Sequence, residues 1–334
     1  MIRSLAPLAA LALLAALPAP ARAAGGPPLR KEKEIPLPGK GGFDYVTVDS
    51  AARRAYVAHA TKVDVVDLEK GAVVGSIEGV EGAHGAIVAG EPRRGFATAG
   101  RKRKLLVFDP ATLKVEREVE TGEGPDALLY VATTKEVWTM NHRAGTVTCV
   151  DAASLTVTAT IDVGGALEFA AELAGKGLVF VNVEDRGEVV AIDARKHAVA
   201  ARHSLEPARE PTGLAIDEKR GLLFCGCGSK HLAVVDAATG KVLATPAIGD
   251  RCDGAAFDPG TGLAFASCGD GTTTVVRPAG EKEFAVAGTL ETAPGARTCT
   301  VDRATHELYV VAGSRGKDDV RLLVFAPVEA SAVR

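Results

Sequence analysis

The feature that most constrains this chain is a self-similarity of about 42 residues. The stretches "VVDLEKGAVVGSI", "VFDPATLKVEREV", "CVDAASLTVTATI", "AIDARKHAVAARH" and "VVDAATGKVLATP" align. Their aspartates fall at Asp67, Asp109, Asp151, Asp193 and Asp236, in steps of 42, 42, 42 and 43. Two degenerate copies follow, with Arg277 and Ala326 at the aspartate position. One aromatic also recurs per copy: Tyr56, Phe96, Trp138, Phe180, Phe224, Phe265 and Tyr309. That takes seven of only 15 aromatic residues, too regular for chance. Each ring is expected to pack its repeat against a neighbour.

Within a copy the pattern reads as four strands, for example "FDYVTVD", "RAYVAH", "KVDVVDL" and "AVVGSIE", rich in β-branched residues and separated by turn residues. Four strands at this period predict a β-propeller blade. The last copy supplies three strands, and "RKEKEIPLPG" near the N-terminus supplies one without partners. Residues 30–39 therefore complete the last blade. The expected fold is all-β: a closed ring of seven four-stranded antiparallel blades with no exposed sheet edge. The recurrent Asp is expected to open the turn between third and fourth strands and accept backbone N–H bonds.

Residues 1–23 read as a cleaved signal peptide: Arg3, then "LAPLAALALLAAL", then "ARA" ending at Ala23. The apolar run is too short to span a bilayer comfortably, and no later segment could cross one. The single domain is then 24–334, exported to a periplasm or secreted, and expected to be a monomer. Removing two arginines and no acid takes the net charge from −3 to −5. A dedicated nucleic-acid binder usually shows the opposite sign. Export permits disulfides, and one is expected within Cys227, Cys252 and Cys268. Cys149 and Cys299 read as buried thiols. His197, His203 and His306 read as surface residues.

The residues twelve before each aromatic marker are Asp44, His84, Asp126, Glu168, Thr212, Asp253 and Arg297. Six of the seven are charged or imidazole side chains, in a chain only 24% charged. They open the innermost strands and so ring one mouth of the central channel. Arg297 falls between Asp253 and Asp44, either as a latch between terminal blades or as an anion clamp. His84, Asp126 and Glu168 occupy consecutive blades with no cation among them. They are candidates to share a proton, take a cationic group, or bind Ca²⁺, Mn²⁺ or Zn²⁺. The loops of the same face add His59, Arg101 to Lys104, Asn141 to Arg143, Asn182 to Arg186 (with Glu184), Ser229 to His231, and Asp270.

The stretches "RAYVAH", "LVFVNVED" and "ELYVVAG", each followed by a "VVD"-type third strand, resemble those of the YVTN-repeat β-propellers, the YncE-like group. The likeness covers residues 30–334. It implies the propeller fold. The group includes binding, surface-layer and uncharacterised exported members and one DNA binder, and it brings no shared catalytic motif to these residues. Serine-nucleophile, P-loop and zincin motifs are absent from the sequence. Two functions follow as expectations. One is a recognition module holding a small ligand or protein partner at the polar mouth. The other is a metal-assisted, lactonase-like hydrolase using the same residues.

Overall fold

A computed structural model describes residues 27–280, 282–313 and 318–328. The expected signal peptide lies outside the described residues. Seven four-stranded antiparallel sheets follow one another round the chain. Blade 1 consists of Phe43–Asp49, Arg54–His59, Lys62–Asp67 and Ala72–Glu78, from the innermost strand outward. Blades 2 to 6 repeat this order, their innermost strands being Ala83–Ala89, Pro125–Val131, Leu167–Leu173, Pro211–Asp217 and Cys252–Asp258. In blade 7, Thr298–Val301, Leu308–Ala312 and Arg321–Pro327 are completed by Leu29–Pro36, which pairs antiparallel with Arg321–Pro327. The N-terminal strand thus closes the ring, as its lack of a partner in the sequence pattern suggests. Among the described residues the helical content is two 3₁₀ turns, Ala174–Lys176 and Glu184–Arg186. No helix among them is long and apolar enough to cross a membrane.

The core lies between blades. All seven marker aromatics are at most 1% exposed, so each contributes a full ring to an interblade seam. The recurrent aspartates act as turn anchors. Asp109 accepts the N–H groups of Ala111 and Thr112 at 2.6 and 3.0 Å, and Asp193 those of Arg195 and Lys196 at 3.1 and 3.0 Å. The backbone bonds hold the Asp109 carboxyl below its ordinary range. At Asp193 the Lys196 ammonium leads and the backbone bonds add to the same lowering.

Polar side chains stitch neighbouring blades. Glu136 accepts bonds from Thr134, Trp138 and Thr158, and from His197 of the next blade at 2.9 Å. His306 pairs with Asp258 of the preceding blade at 2.9 Å. The expectation that His197 and His306 are plain surface residues is therefore corrected: both link blades.

All six cysteines are free and buried, so the expected disulfide is absent. Cys252 and Cys268 face each other across the first strand pair of blade 6. Cys149 and Cys299 are buried thiols, as expected, and burial raises the Cys299 thiol to about 12 and the Cys149 thiol further.

Candidate functional site at the channel mouth

The innermost strands of blades 1 to 6 share one irregularity. Their pairing with the second strand shifts register just after the first residue, as between Phe43 and Val46 or Ala83 and Ala86. Bulges of this kind re-aim a side chain. Asp44, His84, Asp126, Glu168, Thr212 and Asp253 all sit within these shifts. Arg297 directly precedes the short innermost strand of blade 7. The periodic polar ring in the sequence is thus a row of bulged residues. Backbone carbonyls of the ring residues are tied by the preceding blade: Thr98 of blade 2 donates to Asp126 O at 2.7 Å, and Thr298 of blade 7 to Asp44 O at 2.8 Å.

The ring side chains pair in sequence round the mouth. His84 Nδ1 lies 2.7 Å from Asp44 Oδ2 and 2.8 Å from Asp126 Oδ1. A nitrogen between two carboxylates must carry a proton. Gly100 leaves room for this imidazole, since a Cβ there would stand 2.8 Å from Nε2. His142, from the loop after the second strand of blade 3, places Nδ1 2.9 Å from Glu168 Oε1 and 3.2 Å from the Leu167 carbonyl. Arg297 Nε meets Asp253 at 2.5 Å, its Nη2 donates to Phe43 O at 3.3 Å, and its guanidinium lies over the Phe43 ring. Arg297 therefore ties blade 7 to blades 6 and 1, as the latch reading expects.

Tyr45 reaches across the channel. Its Oη donates to Glu168 Oε2 at 3.0 Å, and its ring meets Phe169 edge-on at 5.0 Å.

The electrostatics follow from partial burial. Burial pulls His84 down, but its bonds to Asp126 and Asp44 outweigh that and raise it to about 10. The bond to Glu168 raises His142 to about 9. Burial lifts Asp253 to about 6, and lifts Asp44, Glu168 and the nearby Glu184 above the ordinary carboxylate range. Five carboxylates, those of Asp44, Asp126, Glu168, Glu184 and Asp253, face three cations, His84, His142 and Arg297. Within this set the carboxylates outnumber the cations, while the loop arginines Arg101, Arg143 and Arg186 lie against Gly82, Gly124 and Gly164, just before the ring residues.

The expected trio of His84, Asp126 and Glu168 is not one cluster. Asp126 is shared by two: Asp44, His84 and Asp126, and Asp126, His142 and Glu168. Each brings three potential ligand atoms within 4.8 Å of one another. The sequence pattern does not reveal His142 as the partner of Glu168, although this histidine stands in the "NHR" loop of the same face.

Other expected residues lie elsewhere. Thr212 is buried and donates to Cys252 O at 2.7 Å, an interblade bond. Asn141 is fully buried, donating to Thr146 and Thr148, and does not face the mouth. His59 is fully buried against Asp64 at 2.7 Å, with Lys62 completing an internal triad. Arg101 is exposed, its side chain lying over Gly82, two residues before His84.

No protein-family model matches this chain, and no curated protein matches it. Among solved structures, one chain of "Crystal Structure of Mitotic Checkpoint Complex" superposes with a TM-score of 0.77 at 14% identity, covering 98% of this chain and 99% of that one. At that identity the similarity establishes the seven-bladed propeller fold and nothing finer.

Proposed function

We propose that this protein is an exported recognition module of the YVTN-repeat type, which captures a cationic group at the polar mouth of its channel. The observation that carries the reading is the surplus of carboxylates there, five against three cations, on backbone fixed by interblade bonds. Partly buried like charges repel, and a bound cation relieves that repulsion. A divalent ion or a ligand ammonium group suits this role. A protein partner would present the same chemistry through a lysine.

The two clusters sharing Asp126 favour one further reading, a divalent metal held by two carboxylates and an imidazole. Such an ion would supply Lewis acidity and an activated water for hydrolysis. The imidazole of that cluster would give up its bridging proton to the incoming ion, and the other histidine would keep orienting its carboxylate partner.

The test is elemental mass spectrometry on protein exported in its native compartment and purified without chelator, alongside an Asp126→Asn/Glu168→Gln double variant. Near-stoichiometric metal that the variant loses favours the metal reading. A metal-free protein that binds amines through the same residues favours the ammonium reading. Loss of neither metal nor amine binding in a folded variant overturns both.

A further inference from the structure

The far end of the channel is built on different chemistry. Beyond the Tyr45–Phe169 contact the innermost strands enclose a cavity of about 400 Å³, within the size range of small-molecule sites. Six blades contribute apolar walls, through Val46, Leu129, Phe169, Leu214, Phe257 and Val301. Alanines make up much of the lining. Ala170, Ala171, Ala215, Ala255 and Ala256 line the cavity, and each keeps 3–8% exposure. The same alanines belong to the interblade core clusters, so the cavity wall and the core share residues. An apolar cavity of this size lined by alanine is a place where a ligand's apolar body gains by leaving water.

The rim carries the second observation. Glu218 and Arg303 both line the cavity, both are exposed, and they bear opposite charges. Neither side chain has a hydrogen bond or ion pair among the described residues. The other rim acid, Glu172, is committed to the N–H groups of Ala132 and Thr133 at 2.7 and 3.0 Å. One free carboxylate and one free guanidinium thus stand beside a single apolar cavity.

We propose that this cavity is a second ligand site, independent of the polar mouth, for a molecule with an apolar or aromatic body and a zwitterionic head: the chemistry of a free apolar amino acid. The body would occupy the alanine-lined space. The ammonium group would meet Glu218, and the carboxylate would meet the Arg303 guanidinium, whose planar fork suits it.

The experiment is methyl NMR on the full chain, following Ala170, Ala215 and Ala256, titrated separately with phenylalanine, toluene (body alone) and glycine (head alone). The expected result is saturable binding of phenylalanine at these methyls, weaker binding of toluene, and none of glycine. Arg303→Ala and Glu218→Ala, both exposed positions, should each weaken phenylalanine tenfold or more and leave toluene unchanged. Asp126→Asn at the opposite mouth should change neither. Phenylalanine binding no tighter than toluene, rim variants without effect, or silence of all three methyls would each overturn the proposal.

Discussion

Tyr45 and Glu168 meet across the central channel, the phenol donating to the carboxylate at 3.0 Å although 123 positions separate them. They belong to blades 1 and 4, so the bond braces the disc through its axis. It also supports a carboxylate that burial disfavours. Tyr45→Phe keeps the ring against Phe169 but withdraws a donor from a buried acid. It should cost about 1–3 kcal/mol in urea unfolding, the range for leaving a buried group unsatisfied.

His84 and His142 should both be cationic at neutral pH in chelator-treated protein. Imidazole NMR titrations should give midpoints near 10 and 9. Because both folded values exceed the unfolded one, their stabilising contribution is complete below about pH 6.5. It is lost as pH rises through the folded midpoints. Stability attributable to the ring should therefore fall between pH 7 and 10. His84→Gln should flatten that slope.

The Glu136 network should matter more to stability than any exposed ion pair. Glu136 is buried and serves Thr134, Trp138, Thr158 and His197 at once. Glu136→Ala strands several donors and should cost about 3–5 kcal/mol, the range for breaking a buried pair. Exposed pairs such as Lys31–Glu34 should cost under about 1 kcal/mol. Denaturant midpoints of the two variants decide the order.

The closing strand should be indispensable. Deleting residues 29–36 removes Leu29 and Ile35 from the core and bares the edge of Arg321–Pro327. Such an edge recruits other chains. The truncated protein should melt at lower temperature and elute as higher oligomers by size exclusion. Unchanged elution with unchanged melting would contradict closure by this strand.

The repeat makes most of this architecture readable. Tyr56 and its equivalents mark the second strand, and blade 1 falls within one residue of the strands read from its pattern. The polar ring is legible for the same reason: a bulge recurring at one register leaves a periodic trace. Pairing within the ring is not. His142 belongs to an irregular loop whose direction the period does not encode, and Tyr45 reaches Glu168 through a long-range rotamer choice. Asn141 and His59 mislead because a loop-end position says nothing about whether a side chain turns inward. The far cavity is invisible because an alanine that lines a space and one that packs in a core look identical in sequence.

The most direct test of the central claim is titration calorimetry of Ca²⁺, Mn²⁺, Zn²⁺ and a primary alkylamine into the wild-type protein and the Asp126→Asn/Glu168→Gln variant. The account predicts saturable binding of at least one cation at one site per chain, lost in a variant that unfolds like the wild type. Absence of saturable binding by any of the four, or equal binding by the folded variant, would contradict a cation-capturing mouth.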